Sequence, residues 1–111
     1  MARFTLIDPP EGGGDLAVTL TDDSLFPYFR PGERVCLLRQ AELADGDVGL
    51  FHSRKGMVFR QICQDSQGTV YLFSVNRKYR RLDRAVPAAE TEDLVCYGKL
   101  ILPRPIPLPN D

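Results

Sequence analysis

The chain contains one histidine, His52, and no Cys-x-x-Cys pair. Structural zinc sites draw on several such ligands at close spacing, so no zinc centre is expected, and no other metal or cofactor is implied. Cys36, Cys63 and Cys96 are odd in number and widely spaced, each in an apolar setting ("VCLL", "QICQ", "LVCYG"). They read as buried free thiols in a reducing compartment. No apolar run approaches the roughly 18 residues that span a bilayer. The opening "MARFTLIDPPEGGG" has no hydrophobic stretch of signal-peptide length. The expected setting is therefore soluble and cytoplasmic, with no membrane partner. A charge excess is absent too: 14 Lys and Arg against 15 Asp and Glu leave a net charge of -1. That balance supplies no electrostatic reason for this domain to grip nucleic acid directly. Helical periodicity is also lacking, since no segment sustains a 3.6-residue apolar repeat over a substantial length.

What is there is strand. The 111 residues, 43% of them apolar, suffice for one domain with one core. Short runs rich in Val, Leu, Phe and Tyr are punctuated by Gly and Asp turns. They place strands at Leu16 to Leu20, Arg34 to Arg39, Val48 to Ser53, Met57 to Cys63, Thr69 to Ser74 and Asp93 to Leu102. The pattern predicts a mostly β, compact antiparallel domain, sandwich- or barrel-like, with little helix. "DSLFPYF" and "AELADGD" are each read as one short helical turn, the first with Asp23 or Ser24 as its cap. Residues 1–15, with "DPPEGGGD", read as a flexible lead-in. Residues 103–111, with proline at every second position from Pro103 to Pro109, read as an extended tail.

The chemistry question sits in "TDDSLFPYFRPGERV". Ser24 is either a nucleophile or a turn-capping residue. A serine hydroxyl needs a base to take its proton. His52, at a hairpin end, reads as solvent-exposed. Lys55 lies in a turn, Lys78 in the loop "VNRKYRR" and Lys99 in the last strand. A lysine works as a base only where burial lowers its pKa toward neutrality, and none of the three stands in an obviously apolar pocket. From the residues alone, capping is the default role for Ser24.

In order along the chain, several segments resemble one family. "DDSLFPYFRPGERV" is similar to the nucleophile motif Gly-Asp-Ser-Met-x-Pro followed by Gly-Asp-x-Val, through Asp23, Ser24, Pro27, Gly32 and Val35. Asp22 stands where glycine is usual, Leu25 replaces methionine and Glu33 replaces aspartate. "ADGDVGLF" matches a Gly-Asp turn entering a strand. "YLFSVNRKYRRL" looks like Leu-x-Ser-x-Asn-x-x-Tyr, through Leu72, Ser74, Asn76 and Tyr79. "CYGKLIL" resembles a closing Gly-Lys strand, through Gly98 and Lys99. Together these resemble the C-terminal domain of LexA and phage repressors, serine–lysine self-cleaving peptidases with a signal-peptidase-like β-fold. The likeness covers Leu16 to Leu102.

The resemblance implies Ser24 at the nucleophile position, with Asp22, Asp23 and Pro27 supporting it. The family's catalytic lysine lies in a strand that here reads "GMVFRQI". One alignment puts Arg60 at the lysine position; a shift of one residue puts Phe59 there and reverses the facing. Neither is a lysine. Arginine cannot replace it: bringing its pKa from above about 12 to neutrality takes more than about 5 units, about 7 kcal/mol. The expectation is a pseudo-peptidase in which Arg60 contacts Ser24, Asp22 or Asp23 without catalysing. The small Ala-Gly dipeptide at which such proteins cut themselves does not occur in the chain. The alternative is an active autopeptidase with an unidentified base. The resemblance further implies a regulatory, dimerising domain: a homodimer, touching DNA only through an attached helix-turn-helix domain. The opening residues resemble sequence that follows the cleavage point, so the chain reads as part of a longer regulator or as a stand-alone protein. The basic loop "RKYRRLDR" reads as a solvated surface.

Overall fold

The computed structural model describes residues 1–7 and 16–110. Ten strands run in chain order: β1 Ala2–Arg3, β2 Thr5–Leu6, β3 Leu16–Thr19, β4 Arg34–Leu38, β5 Glu42–Leu43, β6 Val48–Ser53, β7 Gly56–Gln64, β8 Val70–Phe73, β9 Arg84–Val86 and β10 Val95–Leu100. Two short 3-10 helices, Arg77–Leu82 and Ala88–Asp93, flank β9. The main sheet runs β3-β4-β10-β6-β7-β8-β9, with every neighbouring pair antiparallel. β2 joins β10 in parallel, and β1 pairs with β5 as a separate ribbon. The protein is thus mostly β and antiparallel, as its strand signals predict.

Strand pleat distributes the core into two clusters. Leu50 and Phe59, cross-strand partners on β6 and β7, belong to the cluster that holds Leu20, Leu25, Val35, Leu37, Tyr97 and Leu100. Their neighbours Phe51 and Val58 face the other way, toward Phe4, Leu43, Ile62, Leu72 and Cys96. The sheet is therefore apolar on both sides along β6 and β7, and β6 is buried from Val48 through Phe51. Its centre bends at a bulge where β10 passes β6 between Cys96 and Gly98. Gly98 has φ 151°, and a Cβ there would stand 2.7 Å from the Leu38 carbonyl oxygen. Only glycine lets β4 and β10 approach so closely. The next residue, Lys99, pairs with Asp47 at 3.4 Å, tying the last strand to the Gly-Asp turn before β6.

Several expectations change. Residues 1–7 are not a loose lead-in: Ala2 and Phe4 are buried, and both β1 and β2 are paired. Two-residue strands carry no period for a sequence reading to detect. The rest of the expected lead-in, 8–15, lies outside the described residues. "AELADGD" forms β5 and a turn rather than a helical turn, because Leu43 is needed in the core opposite Ala2. "DSLFPYF" makes successive turns, closed by Phe26 N–H to Asp23 O and by Phe29 N–H to Leu25 O, without becoming a helix. Cys36 is exposed, because β4 alternates inward Val35 and Leu37 with outward Cys36 and Leu38; Cys63 is half-buried and Cys96 buried, and all three are free thiols. The proline-rich tail is anchored: Ile106 is buried and the buried Gln61 donates to its carbonyl at 2.7 Å.

Candidate functional site at Ser24

Ser24 sits just past the end of β3, where the chain turns between buried Leu20 and buried Leu25. Leu20 is fixed by its N–H to Glu33 O, and its carbonyl accepts from Gly32 N–H. These bonds set the loop that carries Asp22, Asp23 and Ser24. The Asp22 carboxylate accepts the Ser24 N–H at 3.0 Å. The capping expected of Ser24 or Asp23 is thus done by Asp22, as an Asx-type turn. Pro27 is exposed and follows a cis peptide bond.

The segment 74–79 clamps this loop from the other side. Asn76 N–H donates to Ser24 O at 3.2 Å, and its side-chain amide donates to Asp23 O at 2.8 Å. The Tyr79 hydroxyl donates to Asp23 Oδ1 at 2.6 Å, and Lys78 forms an ion pair with the same carboxylate. Lys78 and Tyr79 together hold the Asp23 carboxyl below the usual carboxylate range. In return Asp23 pushes the Lys78 ammonium and the Tyr79 phenol up. Lys78 is therefore more firmly protonated than a free lysine and is no general base at neutral pH. Asn76 and Ser74 are both buried. Ser74 is held in turn by Asp83, which also takes a two-pronged ion pair from Arg77 at 2.8 and 3.1 Å. The sequence signal for this loop is its likeness to Leu-x-Ser-x-Asn-x-x-Tyr; the structure adds that buried Ser74 and Asn76 need partners, and the Ser24 loop supplies those of Asn76.

Ser24 opens onto a cleft of about 490 Å³, walled by Val18, Leu20, Leu50, Met57 and Phe59 and flanked by Tyr79 and Leu82. Asp22, Ser74 and Arg60 also line it. Ser24 and Arg60 are thus brought to one cleft, but no hydrogen bond joins them among the described residues. Arg60 donates to the carbonyl of Phe59 at 2.7 Å, and the Asp83 charge favours its cationic form. The expected contact of Arg60 with Ser24, Asp22 or Asp23 is not made. The physical reason is the pleat. Phe59 pairs with Leu50 and shares the cluster of Leu20 and Leu25, beside Ser24. Arg60 pairs with Gly49 and alternates with Phe59 along β7; its side chain, like that of Val58, still borders the cleft, but its hydrogen bond goes to the Phe59 carbonyl. Burial pushes the Arg60 pKa down, opposed by Asp83, yet arginine remains a cation.

No histidine or lysine lines the cleft among the described residues. His52 is exposed and its Nδ1 lies 3.0 Å from the Tyr97 hydroxyl. Lys99 is engaged with Asp47, and Lys55 is exposed in the β6–β7 turn. No group of three or more metal-ligating side chains is found among the described residues. Likewise, no described helix is long and apolar enough to cross a membrane.

A family model described as Peptidase S24-like matches residues 3–101. Neither the comparison with curated proteins nor that with solved structures returned a match.

Proposed function

This chain belongs to the Peptidase S24-like family, and from that premise we propose that it is a proteolytically silent member serving as a regulatory and self-association domain of a LexA- or phage-repressor-like regulator. The observation that carries the reading is Phe59. Phe59, in the wall of the Ser24 cleft, is an apolar ring with no lone pair to offer a serine proton. The neighbouring cation, Arg60, lines the same cleft but turns its guanidinium to the Phe59 carbonyl. Lys78 is held protonated by Asp23, no lysine lines the cleft among the described residues, and an unassisted serine hydroxyl is a poor nucleophile. Ser24 is then an idle nucleophile whose backbone the Asp22 and Asn76 bonds keep in place.

The test is prolonged incubation of the protein, and of Ser24→Ala, at about pH 8 to 10, where a lysine base would begin to work. Intact mass should be unchanged for both. Self-cleavage lost in Ser24→Ala would establish the active autopeptidase instead.

Self-association has its own support. Leu38, Ile101 and Leu108 are exposed at 44%, 51% and 39% and line one depression between β4, the end of β10 and the tail. A grouped apolar patch of this kind is what a homodimer covers. In this reading DNA is reached only through an attached domain, and the two copies set the spacing of the half-sites.

A further inference from the structure

Among the described residues, Arg60 is the one cation lining the Ser24 cleft, and it forms no ion pair. It leaves β7 from a position paired with Gly49, and it is half-buried. A guanidinium carries five N–H donors in a planar fork. Here a single hydrogen bond, to the Phe59 carbonyl at 2.7 Å, engages that fork among the described residues. Asp83 favours the Arg60 charge, but the Asp83 oxygens are taken by Arg77 and Ser74. Burial pushes the Arg60 pKa down, because the charge has given up water without gaining a carboxylate in contact. A cation so placed is costly to the free protein, and it gains from an anion that meets it inside the cleft.

The rest of the cleft sets the kind of anion. Its volume of about 490 Å³ lies within the range of about 300 to 1,000 Å³ that small-molecule pockets occupy. Leu50, Met57, Phe59 and Leu82 give it apolar walls. Met57 and Leu82 are left 48% and 47% exposed, so a ligand's methylene groups would take their surface out of water. One carboxylate, Asp22, also lines the cleft; it is exposed, and an oxygen accepts the Ser24 N–H. Water weakens its repulsion of a group held at Arg60, but a second negative charge on the ligand would meet it directly. From this geometry we infer that the cleft is a binding site for a small amphipathic monocarboxylate, of the medium-chain fatty-acid class, with its carboxylate in the Arg60 fork and its apolar body against Leu50, Met57, Phe59 and Leu82. A guanidinium takes a carboxylate through two parallel N–H···O bonds, which adds direction to the charge pairing. The pairing asks no chemistry of Ser24, so the inference goes beyond the silent-peptidase reading and does not depend on it.

The test is titration of the full chain with octanoate, octanol and octylammonium, followed residue by residue through backbone amide NMR shifts. Octanoate should bind saturably and move the amides of Leu50, Phe59 and Arg60. Octanol, of the same length without the charge, should bind at least about tenfold more weakly, and octylammonium should leave these amides still. Arg60→Gln should weaken octanoate by at least about tenfold and bring it level with octanol. Arg60→Lys should keep part of the preference, as a point charge without the fork. The amide spectrum of each variant also reports its fold. Leu82→Asp, on the exposed lip, gives a second variant that leaves the core alone, and it should weaken octanoate as well. Octanol binding as tightly as octanoate, shifts confined to residues outside the cleft, or indifference to Arg60→Gln overturns the inference. Self-cleavage by intact mass would sink the silent-peptidase reading and leave this site standing; absent octanoate binding with intact mass unchanged does the reverse.

Discussion

Ser24 is held by its backbone, and in the proposed silent site the apolar wall of its cleft offers the side chain no base. Phe59 occupies the face of β7 turned to the Ser24 cluster. Phe59→Lys would bring an amine there, in an apolar wall that lowers its pKa. It is expected to gain Ser24-dependent cleavage of an added Ala-Gly peptide at about pH 8 to 10, read by peptide mass, and to lose about 2 to 4 kcal/mol of stability from the lost ring. Arg60→Lys, at the cleft position drawn toward the Phe59 carbonyl and Asp83, should gain none. Equal gain by both would show that the pleat does not set the site. Asp83 carries a second prediction. Burial opposes its charged form, but the Arg77 pair and the Ser74 N–H and hydroxyl outweigh this and leave its carboxyl below the usual range. A depressed folded pKa stabilises the fold above the unfolded carboxylate value, and that stability is lost as pH falls through the folded one. Asp83→Asn should therefore cost about 1 to 3 kcal/mol near neutrality. It should also flatten the acid limb of the stability curve below about pH 4, measured by urea melts.

Elements succeed here by register. β6 lies over Val48–Ser53, the span its short apolar run and flanking "DGD" and "SRKG" turns specify. β7 extends the expected Met57 to Cys63 by one residue at each end. β3, β4, β8 and β10 lie within their expected runs, β10 shortened because residues 88–93 form a 3-10 helix. The bulge of β10 rests on one residue. Gly98→Ala would press a methyl group to 2.7 Å from the Leu38 carbonyl oxygen. The expected loss is about 1 to 3 kcal/mol from strain between β4 and β10, visible as a drop in Tm. An unchanged Tm would mean that the two strands part without cost. β1, β2, β5 and β9 escaped the sequence reading, because two or three residues show no alternation.

The whole molecule joins ends that the sequence kept apart. The first residues pair with β5 and β10, and the tail returns to Gln61 in mid-sheet. That return shapes the exposed patch of Leu38, Ile101 and Leu108. If copies associate through it, Ile101→Glu should turn a dimer into a monomer by light scattering, with the fold intact because the side chain is exposed. A chain that is monomeric already at high concentration would remove the self-association proposal.

The sequence by itself determined the β class, the place of the longer strands and the two turns that lead into β6 and β7. These rest on local alternation and turn chemistry, which act over a few residues. It also named the four side chains, His52, Lys55, Lys78 and Lys99, that could serve Ser24 as a base, each legible in its local setting. Tertiary structure alone decided that Phe59 joins the core cluster of Leu20 and Leu25 while Arg60 takes the alternate position on β7. That choice depends on the register of β7 against β6, and one residue of slip inverts it. It alone joined Asp23 to Lys78 and Tyr79, because a buried polar loop takes its hydrogen bonds wherever folding brings a partner. "TDDSLFPYF" read as a possible cap or nucleophile; its partners lie more than 50 residues along the chain, with Tyr79 bonded to Asp23 across 56 positions.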